Sequence, residues 1–228
     1  GEVRDWRAGE CEPVPGKTMP KLIVVERDYP HVGERWRALG PLVEQLGTAI
    51  KGASWVADEE VAELGRRVQR KLLTILFGQS GLGKTSILRA GIVPRLRPEG
   101  YCPVYVRLDY GKDSPPPAQQ IKDAILRATR EAGHWTQTGI ARADESLWEF
   151  LHHRDDLLRD RTGRKLIPLL IFDQFEEVFT LAQGDDFGRQ RAALFLEELA
   201  DLVENRAPRA LEARLEADEA GMERFDFG

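Results

Sequence analysis

Eight consecutive residues, Gly78-Gln79-Ser80-Gly81-Leu82-Gly83-Lys84-Thr85, match the spacing G-x-x-x-x-G-K-[ST] at every fixed position. Each type has a chemical task. The glycines let successive backbone N–H groups turn inward around a phosphate, through conformations closed to larger residues. A helix starting near Gly83 points its partial positive end at the same anion. Lys84 supplies a point charge for the β- and γ-phosphates, Thr85 an oxygen ligand for Mg²⁺, and Ser86 follows in the first helical turn. The spacing therefore predicts a nucleotide site over Gly78, Gln79, Ser80, Gly81, Leu82, Gly83, Lys84, Thr85 and Ser86, with ATP and Mg²⁺ as cofactors. No Asn-Lys-x-Asp motif for reading guanine is present, which favours ATP over GTP.

Such a loop needs a carboxylate at the end of a neighbouring strand to order the metal's water shell. Leu169-Leu170-Ile171-Phe172-Asp173 delivers one, 89 residues after Lys84. The predicted metal ligands are thus Thr85 and Asp173. The position after the aspartate is Gln174, and Glu176 and Glu177 follow. Either glutamate could act as the hydrolytic base if the chain turns sharply, and either could equally serve as helix N-terminal charge; Gln174 could itself orient a water.

The elements around these residues are readable. Leu72–Phe77 is a continuous apolar run ending at glycine, the pattern of a strand buried on both faces of a parallel sheet. A helix over Lys84–Val93 is expected to stop at Pro94. Further strands are predicted at Leu22–Val25, Val104–Leu108 and Leu169–Phe172, and helices at Trp36–Leu46, Asp58–Gln69, Ala118–Glu131, Ser146–Leu158 and Arg189–Asn205. This order predicts an α/β fold, a parallel sheet with flanking helices.

Composition narrows the function class. The 228 residues carry a net charge of −5, which gives no general polyanion binder, and the tryptophans do not alternate with basic residues; no nucleic-acid partner is predicted. Residues 185–228 hold 12 carboxylates against 6 arginines, read as a solvated acidic helical face. Two cysteines, Cys11 and Cys102, are too few for a disulfide framework or a zinc site. Cys102 reads as a small buried residue. The paired His152-His153 reads as surface helix. The longest apolar stretch, Leu166–Phe172, is far too short to span a bilayer, and no leader pattern opens the chain. The expectation is a cytoplasmic protein without a membrane partner.

Two resemblances sharpen this. Gly78–Leu96 (GQSGLGKTSILRAGIVPRL) with Ile171–Thr180 (IFDQFEEVFT) resembles the bacterial STAND NTPases, P-loop signal-transduction ATPases with numerous domains. The likeness implies an ATP-controlled switch with at most slow hydrolysis, flanked in a longer protein by effector and sensor domains, and able to self-associate. Lys84, Thr85 and Asp173 match its phosphate and metal positions. The stretch Leu22–Leu64, containing VVERDYPHVGERWRALGPLVEQLG, resembles part of the respiratory nitrate reductase α chain, a molybdopterin oxidoreductase. It holds no cysteine group for a cluster and implies no reductase activity here. The expected division is an N-terminal segment at 1–70 and a partial NTPase domain at 71–228. The alternatives are an inactive truncated or fused remnant, or a nitrate-reductase-derived binding or assembly module. In NTPases of this type the strand after the aspartate strand lies between it and the phosphate-loop strand. Here it would begin past Gly228, so an open sheet centre, marginal stability and weak ATP binding are expected.

Overall fold

The structure is a computed structural model that describes residues 21–27, 47–51, 58–78, 84–111, 113–131, 145–153, 158–182, 185–217 and 225. Five strands, β1 (Lys21–Arg27), β2 (Gly47–Lys51), β3 (Leu73–Gly78), β4 (Tyr101–Val106) and β5 (Ile167–Phe172), form one sheet in the order β2-β3-β1-β5-β4. Every pairing is parallel. The helices are α1 (Asp58–Arg70), α2 (84–96), α3 (Pro117–Glu131), α4 (Leu147–His152), α5 (Glu177–Ala182), α6 (Asp186–Glu204) and α7 (Arg209–Ala217). The predicted Trp36–Leu46 helix falls outside the described residues.

Helices cover both faces, and the strands alternate between two cores accordingly. Leu22, Val24, Leu73, Ile75, Val104, Leu170 and Phe172 pack with α3 and α6 residues such as Ile121, Ile125, Phe195 and Leu199. Ile23, Leu76, Leu169 and Ile171 face the other way, against Leu64 and Val68 of α1 and Leu88 and Ile92 of α2.

The expected open centre is not found. β1 lies between β3 and β5, with Val24 level with Ile75 on one side and with Phe172 on the other. Leu22, Ile23 and Val24 are each at most 1% exposed and are divided between the two cores. Burying side chains of this kind contributes ~1.5–3 kcal/mol each, and the backbone groups of both neighbours are paired. Strands from both sides of residue 70 therefore share one sheet.

Several boundaries move for identifiable reasons. The helix after the phosphate loop does not stop at Pro94. It passes from α-helical Lys84–Ser86 into a π-helical stretch, Ile87–Ile92, and back to α-helical Val93–Leu96. The Val93 N–H bonds to the Leu88 carbonyl five residues back, and Pro94, which has no N–H, sits in the first turn of the last α-helical piece. A proline at a helical restart breaks no bond that the turn before it requires. Gly100, at φ 98°, ends the run in a left-handed conformation, and the Arg164 guanidinium donates to the Pro98 and Glu99 carbonyls beside it. Pro103 lies within β4, and β4 is an edge strand.

The predicted helix from Ser146 is also shorter. Ser146 caps α4 through a reciprocal bond with Glu149, but His153 leaves helical geometry and bridges to Phe225. His152 is not a surface residue. It is 5% exposed, stacks on Trp148 at 4.0 Å, and bonds the Trp148 carbonyl and Asn205. Cys102 is buried as expected, and burial pushes its thiol pKa up to about 11. Among the described residues, no helix is long and apolar enough to cross a membrane.

Gly91 lies where α2 meets α1. A Cβ there would sit 2.7 Å from Cγ1 of Val61, a side chain stiff at χ1. Overpacking of this kind costs ~1–3 kcal/mol, against a gain of ~1 kcal/mol in helix propensity. Gly91→Ala is expected to lower the melting temperature in the wild-type background, and to become neutral or stabilising in Val61→Ala. Equal effects in both backgrounds would show that close approach does not fix the glycine.

Candidate functional site at the carboxyl ends of the strands

Parallel sheets gather ligand-binding residues at the carboxyl ends of their strands. Gly78 is the last residue of β3 and Lys84 the first of α2, so the phosphate-loop residues span a strand-to-helix turn. Gln79, Ser80, Gly81, Leu82 and Gly83 lie outside the described residues. Lys84 is only 8% exposed; Thr85 is partly buried and Ser86 exposed. A helix N-terminus carries partial positive charge, so an anion there would be attracted both by the helix end and by the Lys84 ammonium.

Asp173 follows β5 directly, and its N–H donates to the Val106 carbonyl at 3.0 Å. The chain then turns sharply. Gln174 has φ 57°, a left-handed conformation uncommon outside glycine, and its carbonyl accepts from the Glu177 N–H at 3.1 Å. Phe175, 2% exposed, anchors the turn in an aromatic group with Phe172, Phe179 and Phe195. Beyond it Glu176 is buried and Glu177, partly buried, opens α5. The chain thus turns sharply just before both glutamates. The Gln174 Oε1 is buried and has no hydrogen-bond partner among the described residues, a position suited to an acceptor for a water or ligand N–H. By type, the Lys84 ammonium is suited to a phosphate, and the Thr85 hydroxyl and Asp173 carboxylate are oxygen donors of the kind a hard cation prefers. Among the described residues, no group of three or more His, Cys, Asp or Glu could hold a metal ion by itself.

Two further residues border this end of the sheet and left no signal in the sequence. Tyr110 follows β4, and its buried hydroxyl has no hydrogen-bond partner among the described residues. Burial first, and then the Glu177 carboxylate, push its phenol pKa upward. Arg191 of α6 donates to the Gly111, Ser114 and Pro115 carbonyls. It fixes the loop in which Asp109 accepts from the Gly111 N–H and the Ser114 hydroxyl, bonds that lower the Asp109 pKa. Neither residue belongs to a local motif, because their partners are brought together only by the sheet and α6.

Residues 57–218 match the family described as "Novel STAND NTPase 1". Part of the chain is also similar to nitrate reductases. It is 52% identical over 65 residues to the respiratory nitrate reductase 2 alpha chain of Escherichia coli K12, covering 28% of this chain and 5% of that protein. With the respiratory nitrate reductase 1 alpha chain of the same organism it shares 41% over 98 residues, covering 43% and 8%. With the Bacillus subtilis nitrate reductase alpha chain it shares 47% over 68 residues, covering 30% and 6%. The chain thus spans less than a tenth of the length of these relatives. No solved structure matches it.

Proposed function

Since the chain belongs to the novel STAND NTPase 1 family, we propose that it is an ATP- and Mg²⁺-binding switch unit of a signal-transduction NTPase, with at most slow hydrolysis. The observation that carries this reading is the buried Lys84 at the first turn of α2, six residues after the end of a parallel strand, with Asp173 directly following another strand of the same sheet. In this reading the glycine-rich sequence before Lys84 binds phosphate, and Lys84 neutralises the β- and γ-phosphates. Thr85 and Asp173 would hold Mg²⁺, the carboxylate through water, and the cation would supply neutralisation of phosphate charge. Glu176 or Glu177 positions the attacking water. Effector and sensor domains of a longer protein, and self-association, would read the nucleotide state.

Asp173→Asn separates a metal role from a structural one. The carboxylate acts through the cation, so ATP affinity is expected to fall at least tenfold in Mg²⁺ and to change less than twofold in EDTA. The amide keeps the side chain's shape and its backbone bond to Val106, and the melting temperature should hold. Equal losses under both conditions would count against the metal assignment.

A further inference from the structure

Charge is spread unevenly over the two ends of the sheet. Residues 63–71 in the second half of α1, 95–99 at the end of α2 and 159–165 before β5 carry ten Lys and Arg against three carboxylates. These segments lead into β3, β4 and β5, so they meet at the amino ends of the strands, away from Lys84 and Asp173. Hydrogen bonds join them. Gln69 of α1 bonds Glu99, and the Arg164 guanidinium donates to the Pro98 carbonyl at 3.2 Å and the Glu99 carbonyl at 2.7 Å. Arg70, Arg95, Arg97, Arg161, Arg164 and Lys165 are all exposed. Helix C-termini attract cations, which accounts for part of the cluster, but each such end is worth only about half a negative charge. Two ends together with Glu63, Glu99 and Asp160 still leave an excess of roughly six positive charges, in a chain whose net charge is −5. The total conceals a cationic face.

From this convergence we infer that the amino-end face is a docking surface for the phosphate backbone of double-stranded DNA, bound without regard to sequence. A duplex carries one negative charge per ~1.7 Å of its axis, a regular array that a cluster of this size neutralises at several points. Eight of the ten cations are arginines, whose planar guanidinium matches phosphate oxygens. The face offers little else. Its uncharged polar side chains, Gln69 and Thr162, are committed to Glu99 and Asp160, and the three segments contain no aromatic residue. Single strands and RNA loops are held by stacking on aromatic rings, and base edges are read by free polar groups. Backbone contact to a duplex requires neither. Among the described residues, the exposed large apolar side chains are Phe187 and Leu194 of α6, on the opposite side of the sheet, so no apolar wedge for a lipid surface adjoins the cations. The surface is separate from the candidate nucleotide site and does not depend on it.

The test is fluorescence anisotropy of a labelled random-sequence DNA duplex of about 20 base pairs, titrated with the whole chain over a range of salt. A dissociation constant of roughly 10⁻⁶–10⁻⁴ M is expected at physiological salt, weakening steeply as salt rises. The triple variant Arg70→Gln/Arg97→Gln/Lys165→Gln removes three exposed cations whose side chains form no hydrogen bond or ion pair among the described residues. It should lower affinity at least tenfold and flatten the log–log salt slope by about 2–3, with an unchanged melting temperature and an unchanged titration by Mg·ATP. Arg127→Gln/Arg130→Gln/Arg209→Gln takes the same charge from exposed positions on α3 and α7, and should stay within threefold of wild type. Equal losses in the two triple variants would overturn the surface, since overall charge would then be responsible. So would a loss that follows a lowered melting temperature. A wild-type chain that fails to bind the duplex at low salt, or that binds phosphatidylserine vesicles and not DNA, would also show the inference to be wrong.

Discussion

Val24→Asp should abolish the cooperative thermal transition of this protein. Val24 is fully buried at the centre of a five-stranded sheet, paired with Ile75 and Phe172 and packed in the larger core. A carboxylate there loses its hydration and gains no cation in return, at a cost of several kcal/mol. That is comparable to the ~5–15 kcal/mol that holds a typical domain together. The milder Val24→Ala should cost ~1.5–3 kcal/mol and shift the melt without removing it. Circular dichroism on both variants is sufficient. A Val24→Asp protein that melts like the wild type would mean that β1 does not occupy the centre of the sheet.

The second large effect concerns the ligand. Lys84→Ala is expected to reduce ATP affinity about ten- to a hundredfold, the value of a charge-assisted contact of ~1.5–3 kcal/mol. Lys84 opens the helix that follows the phosphate loop, so its contribution to affinity is expected to exceed its contribution to stability. Affinity and melting temperature should therefore separate: much weaker binding in titration, with only a small shift of the melt without nucleotide. Loss of both together would indicate that Lys84 acts in packing instead.

The strands that frame the site were legible because each is apolar on both faces. Leu72–Phe77 and Leu169–Phe172 could be read directly, and the observed strands, Leu73–Gly78 and Ile167–Phe172, differ only at their ends. β2 was missed, since Gly-Thr-Ala-Ile-Lys has a single large apolar residue and β2 lies at the sheet edge. Leu22–Val25 was recognised as a strand, but not its place. Strand order in a parallel sheet depends on tertiary packing, and nothing in a four-residue apolar run specifies its neighbours. The continuation through Pro94 was hidden for a related reason: proline's usual effect assumes α-helical hydrogen bonding, and a π-helical stretch precedes it. His152 read as exposed because its neighbours in sequence are charged, whereas Trp148 and Asn205 enclose it from other turns of the fold. At the candidate site, Lys84, Thr85 and Asp173 were legible from local motifs, and Tyr110 and Arg191 were not.

A metal-assisted phosphate site requires that this chain take up a nucleotide, and more tightly with Mg²⁺ than without it. Isothermal titration of the 228-residue chain with ATP, once in Mg²⁺ and once in EDTA, addresses that directly. The prediction is saturable binding at one site, at least tenfold tighter with Mg²⁺ than without it. Absence of heat and of any thermal stabilisation by ATP in Mg²⁺, from a chain that melts cooperatively, would contradict it.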